Sequence, residues 1–148
     1  MAARSAVPAS YFVREGALAD PAGTAVDATN GNTVASPGPW KVILRITNTA
    51  GTGYNAIIRA SGNGVTAAGA TQVSPVPSNV VFAHSTEGDL TVAVAATTGV
   101  KWIGPLTSDR FSQPDGSLSI DYSNTSFAGT VTAFVLPGTT GMAAAGNW

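Results

Sequence analysis

The sequence predicts an all-β domain, an antiparallel β-sandwich, jelly roll or small barrel, and three observations lead there. Apolar and polar residues alternate in short runs, as on half-buried strands. Turn chemistry cuts those runs at Asn30-Gly31-Asn32, Thr97-Thr98-Gly99, Gly104-Pro105, Pro114-Asp115-Gly116 and Asn124-Thr125. No stretch carries the 3.6-residue period over the length of a helix. Ala143-Ala144-Ala145 is too short and stands beside Gly141 and Gly146. Roughly eight to ten strands are expected, in the range of sandwiches and jelly rolls.

The elements follow in chain order. Residues 1–23 read as an N-terminal arm with one apolar cluster, Tyr11-Phe12-Val13, bracketed by Ala/Ser/Pro-rich sequence. Fully extended, an arm of that length reaches on the order of 70 Å. It either crosses onto a neighbouring subunit or folds back as a first edge strand. Thr24–Asp27 is a short β-like run closed by the Asn30-Gly31-Asn32 turn, and Ser36-Pro37-Gly38-Pro39 is a rigid connector. Trp40–Thr49 is a strand with Trp40, Val42, Leu44 and Ile46 on one face and Lys41, Arg45 and Thr47 on the other. Ile43 breaks the pattern and marks a second contact surface. Asn48–Gly53 reads as a hairpin loop into Tyr54–Ala60.

Ser61–Ser78, with Gly62-Asn63-Gly64 and Pro75-Val76-Pro77, is expected to be a long surface loop, followed by a short strand at Asn79–Ala83. From Asp89 onward, Leu90, Val92 and Val94 point inward, then Val100, Trp102 and Phe111. Leu118, Ile120 and Tyr122 follow the Pro-Asp-Gly turn. Val131, Ala133 and Val135 form the last strand, with Phe134 and Leu136 on its other face. Apolar groups on both faces place that strand centrally in a sandwich or beneath another chain. The chain divides into the arm (1–23), a β domain (24–137) and a tail (138–148).

Composition bounds the function. A single domain of 148 residues buries roughly 68% of its unfolded surface, so a core forms without staples. The absence of cysteine excludes disulfides, thiolate zinc sites and cysteine nucleophiles. Only 10% of residues are charged and the net charge is −1, with basic residues scattered singly, so no stripe for a nucleic-acid backbone exists. So few charges protect a monomer poorly against association, which fits an oligomer or an assembly component. Pro8, Ser10 and Arg14 interrupt any signal-peptide core, and no run reaches the length of a membrane span. Assembly in the cytoplasm without export is expected.

Catalytic constellations are thin. His84 is the single histidine, no G-x-S-x-G elbow accompanies it, and a structural loop histidine is the simpler account. Asp109, Asp115 and Asp121, or Glu87 and Asp89, offer oxygen ligands for calcium without EF-hand spacing, and Asp115 is already explained by its turn. The same carboxylates form no recognisable glycosidase pair. Lys41 and Lys101 are weak candidates for isopeptide bonds. Trp40 and Trp102 fall on inward registers and read as core. Trp148, at the chain end, suits an anchor in a neighbour's pocket. No enzyme, metal or cofactor is expected.

The string GDLTVAVAATTGVKWIGPLTSDRFSQPDGSLSIDYSNTSFAGTVTAFVLP resembles the C-terminal half of small head-decoration or minor capsid proteins of tailed phages, those of actinobacteria above all. These share a DLTV…IGPLESARF.Q.DGSL.ID……GTI.AF.LP pattern, and PAGTAVDATNGNTV is similar to their opening segment. The likeness covers about two-thirds of the chain and leaves out the arm, Ser61–Ser78 and the tail. It implies a structural virion protein on the outer capsid surface, partnered by the major capsid protein. Homo-oligomerisation, as a trimer in the first instance, goes with it, with neither nucleic acid nor membrane in direct contact. Oligomeric grip multiplies modest contacts, each interface of roughly 1,600 Å². Contacts are expected at Tyr11, Phe12 and Val13 in the arm and at Met142 and Trp148 in the tail. Deleting residues 1–20 is expected to abolish capsid binding and leave the β domain folded. A tail or fibre protein, and a carbohydrate-binding sandwich module, are the alternatives.

Overall fold

A computed structural model describes residues 3–13, 15–35, 42–60, 89–106, 111, 113 and 115–136. Among them no residue is helical, and ten strands form two facing sheets. In chain order these are β1 (Ser5–Ala6), β2 (Ala9–Tyr11), β3 (Thr24–Ala25), β4 (Asn32–Val34) and β5 (Val42–Asn48). There follow β6 (Tyr54–Ile58), β7 (Leu90–Val94), β8 (Gly99–Leu106), β9 (Leu118–Tyr122) and β10 (Thr130–Val135). The first sheet has the order β1-β4-β9-β6-β7. The second has the order β2-β10-β5-β8, with β3 also on the outer edge of β10.

From β3 onward the pairing is nested: β3 with β10, β4 with β9, β5 with β8 and β6 with β7, all antiparallel. The arrangement is one long hairpin, its tip between β6 and β7, rolled into a sandwich. That is a jelly roll. The parallel pairs come from the arm, where β1 runs beside β4 and β2 beside β10. The sheets are therefore mixed, and no barrel closes.

The core lies between the sheets and follows the period-2 pattern. Val42, Leu44 and Ile46 of β5 face Ile58, Val94, Leu118 and Ile120 of the first sheet, with Val131, Ala133 and Val135 beside them. Ile43, Arg45 and Thr47 point away, as the alternation predicts. Phe111 and Phe127 close the ends, and Tyr122 packs on Phe127 with ring centroids 4.8 Å apart.

Two expectations are corrected. Asn48–Gly53 is not a hairpin loop, because β5 and β6 belong to different sheets. Both edges of β5 are taken, by β8 and β10, so the chain must cross the sandwich. Asn48 makes the crossing possible: its buried amide donates to the carbonyls of Thr52 and Val94 and accepts from the Ala50 N–H. Hairpins and sheet crossings use the same turn chemistry, which is why the sequence does not separate them.

Trp102 is not a core residue. It pairs in register with Arg45, and Ile103 with Leu44, so Ile103 fills the core and Trp102 faces outward. Beyond Ile103 the strand carries one extra residue at Gly104-Pro105 before Leu106 rejoins opposite Val42. Such a bulge resets side-chain alternation, bringing Leu106 inward.

Of the two readings of residues 1–23, the folded-back strand is the one seen. Val7, between β1 and β2, is buried in the core, and the arm touches both sheets. Removing residues 1–20 would open the core as well as remove Tyr11 and Phe12. The loop at Ser61–Ser78, the strand at Asn79–Ala83, Trp40, Lys41, His84 and the tail lie outside the described residues.

Candidate interaction face

The two sheets have unlike outer faces. On the first sheet, Arg4 pairs with Asp121, and the Arg59 guanidinium bridges Asp121 (3.1 Å) and Asp89 (2.8 Å). Asp89 is nearly buried and also accepts the Ala60 N–H at 2.6 Å. Opposite charges alternate across the strands, and Thr33, Ser119, Asn55 and Thr91 share the remaining outward registers with half-buried Ile57 and with Ala93. This surface satisfies itself.

The arm is tied to that side by a polar cluster. Asp27 accepts from the Asn30 N–H (2.9 Å), the Thr29 N–H (3.2 Å) and the Ser5 hydroxyl (2.9 Å). Those bonds, the Asn30 N–H first, hold the Asp27 carboxyl below the usual carboxylate range. Asn32 accepts from the Tyr122 hydroxyl at 2.6 Å and donates to Ser5 and Ala25 carbonyls. Burial, with the negative charges of Asp121 and Asp27 nearby, pushes the Tyr122 phenol far above its ordinary value, so it stays a neutral donor. Gly31 (φ 82°) lets Arg4 pass: a Cβ there would collide with the Arg4 guanidinium and the Asp121 carboxylate.

The second sheet's outer face is aromatic. Phe134 lies opposite Ile43, Thr132 opposite Arg45, and Trp102 opposite Arg45 from the other side. Trp102 stacks on Phe134 (5.5 Å between centroids, 27°), and Phe12 packs on it at 5.5 Å and 30°. The Phe12 N–H donates to the Val135 carbonyl, fixing the arm residue at the strand edge. The Arg45 guanidinium sits 5.6 Å from the Trp102 ring and 5.7 Å from that of Phe134. It is held by Asp20 (2.7 Å) and the Pro21 carbonyl (2.9 Å), while its Nε is buried without a hydrogen-bond partner.

Phe134 is thereby covered, but its covers are not. Trp102 is 60% exposed, Tyr11 59%, Phe12 40%, Val13 62% and Val100 48%. Trp102, Val100 and Phe12, exposed together on the outer side of this sheet, are what marks an interaction site on a soluble domain. Arg45 adds a charged group already stripped of most of its water, the kind of residue enriched in interface centres.

The structure brings the arm residue Phe12 to the same surface as Ile43 and Phe134, which the sequence marks as a second contact face, whereas Tyr11 shares the register of the inward-facing Val135 and Val13 is exposed beyond β2. Trp102, Val100 and Arg45 were missed. Val100-x-Trp102 alternates as a core strand would, and the signal against it was only the bulge at Gly104-Pro105. Met142 and Trp148 lie outside the described residues.

Among the described residues, the carboxylates considered for calcium are engaged by other groups. Asp89 and Asp121 are neutralised by arginines, and Asp115 accepts the Ser117 N–H (3.0 Å) and hydroxyl (2.6 Å), which lowers its pKa. Among the described residues no three His, Cys, Asp or Glu side chains gather as metal ligands. Asp109, Glu87 and His84 lie outside them. Comparison of the chain with protein-family models, with curated proteins and with solved structures gives no match.

Proposed function

We propose that the protein is a structural component of a phage virion, a decoration protein that binds the outer surface of the head and bridges major capsid subunits. The aromatic face of the second sheet carries this reading. It is apolar, exposed, continuous with the arm, and opposite a face that needs no partner. The resemblance of Asp89–Pro137 and Pro21–Val34 to head-decoration proteins supplies the address. The jelly roll is compatible with it, though the same topology serves lectins and cupins and so cannot choose by itself. In this reading the protein is not an enzyme and needs no cofactor. It assembles in the host cytoplasm and works as a homo-oligomer, with Met142 and Trp148 as further contacts.

The test is co-sedimentation of the purified protein with heads lacking it. The double variant Phe12→Ser/Trp102→Ser removes two apolar anchors of hot-spot type, each worth ~2 kcal/mol, and binding should weaken by about 1,000-fold. Circular dichroism guards against an unfolded variant. Undiminished occupancy on the heads would sink the assignment. A tail or fibre position uses the same face and is distinguished by where the chain's density lies on the particle.

A carbohydrate-binding module is the second reading, favoured by the open ring face of Trp102 on a β-sandwich. Sugar rings stack on such surfaces, and a glycan array without hits would remove it.

A further inference from the structure

We infer that the N-terminal arm is an exchangeable element, and that copies of this chain associate by placing residues 3–12 on the sheet edges of a neighbour. The inference does not depend on the capsid reading. It rests on how the arm is attached.

The strand pairings, polar contacts and core contact described for the arm are made with the body of the domain, and a second copy offers the same partners. β1 takes the edge of β4 and β2 the edge of β10, Val7 enters the core, Ser5 reaches Asp27, and Arg4 reaches Asp121. Phe12 travels with them through its ring contact and its bond to Val135. Exchange therefore conserves every one of these contacts, and only the connector and the new interface decide between closed and exchanged forms.

The connector favours opening. It is anchored again at Asp20 and Pro21, through Arg45, which leaves residues 13–19 as the hinge. Its described residues are exposed apart from half-buried Leu18. The hinge is bent by a turn in which Gly16 donates to the Val13 carbonyl at 3.2 Å, with Glu15 at φ 56°. That left-handed conformation is unfavourable for a glutamate and is not required once the hinge straightens. Straightened, seven residues span roughly 24 Å, enough to reach an abutting copy.

Two further features point the same way. A cleft of about 160 Å³, lined by Val7, Pro8, Ser10, Gly23 and Thr132 among others, separates the arm from β3, so the arm is not sealed against the body on that side. Val13, in the hinge, and Tyr11, at the end of β2 beside it, are exposed in the closed chain and would be covered between two bodies joined there.

The chain has no cysteine, so a crosslink can be read without background. Ala6 and Thr33 are register partners on the outer face of the first sheet. Neighbouring strands hold Cα atoms within disulfide reach. Two single variants, Ala6→Cys and Thr33→Cys, one carrying a mass tag, are mixed at high concentration and oxidised. Exchange gives a covalent heterodimer joined between positions 6 and 33, in excess of the two homodimers. A statistical mixture of products, together with an Ala6→Cys/Thr33→Cys double variant that closes only within one chain at every concentration, overturns the inference. Glu15→Gly supplies a second readout that leaves the arm and the edges intact. Glycine removes the penalty of the turn, so the exchanged fraction seen by light scattering should fall about fivefold. A fraction that does not move, or a chain that is monomeric throughout, likewise overturns it.

Discussion

The outer faces of the two sheets differ in what they ask of their surroundings. On the first sheet, Arg4, Asp121, Arg59 and Asp89 form an alternating ladder in which charge meets charge within the chain. On the second, Phe12, Trp102 and Val100 stand in solvent around a covered Phe134, with Arg45 wedged beneath them. One core serves both sheets, so the contrast is not about folding. The ladder holds the domain's own edges and arm in place, whereas the aromatic face gains its full value only when something covers it. A protein with so few charges has placed several of them together on one side and exposed its aromatic rings on the other.

Single substitutions should separate these roles. The largest loss of stability is expected from Asp89→Ala. It leaves the Ala60 N–H unsatisfied and the Arg59 guanidinium short of one partner at a nearly buried position. About 3 kcal/mol should be lost, read as a lower urea midpoint at unchanged m. A loss below ~1 kcal/mol would mean the ladder is ornamental, and the contrast between the faces would collapse.

Trp102→Ser comes next, at about 1–1.5 kcal/mol from the lost ring contact with Phe134 and the cation–π contact with Arg45. Its effect on association should exceed its effect on stability. Light scattering of concentrated protein checks this, and a variant that unfolds as readily as Asp89→Ala would place Trp102 in the structural class instead.

The smallest effect is that of acid. The Asp27 carboxyl titrates below its unfolded value of 3.8, so its contribution is complete above that pH and is lost as pH falls through the folded value. Melting temperature should therefore drop as pH falls below about 4, and Asp27→Asn should flatten that part of the profile. Asp115, lowered for the same kind of reason by Ser117, adds to the slope in both proteins. A profile unchanged by Asp27→Asn would remove Asp27 from the arm's anchorage.

Much of this was legible in the sequence. The alternation of Val42, Leu44 and Ile46 against Arg45 and Thr47 fixes both faces of β5, and the same holds for Val131, Ala133 and Val135. Ile43 and Phe134 stand out as apolar residues on the wrong face, but nothing local says that they lie opposite each other. That fact belongs to the pairing of β5 with β10, strands separated by most of the chain. Trp102 shows the opposite failure. Its local pattern is that of a core residue, and only the register of β8 on β5 turns it outward. Of the candidate contacts, the arm cluster stands out in the sequence as three consecutive apolar residues in a polar segment, and in the fold all three remain exposed. The polar anchorage of the arm was not, because Ser5, Asp27 and Asn32 look like ordinary turn residues until the topology brings them together.

The rolled hairpin also bears on how the chain is made. Register partners are separated by 32 residues at the tip, where Leu90 meets Ile58. The separation grows to 105 where Thr130 meets Ala25, and to 124 where Ala133 meets Ala9. Folding that starts with the nearest partners runs outward from β6 and β7 and reaches the arm last. During synthesis the arm leaves the ribosome before the body of the domain, yet its seat on β10 does not exist until the last strand has followed. At ~5–20 residues per second, that wait lasts on the order of ten seconds. Throughout it, β2 and its apolar neighbours are free beside other nascent copies on the same message. Pulsed hydrogen exchange during refolding would show the amide of Val7 protected after those of β6 and β7, and simultaneous protection would exclude the sequence of events.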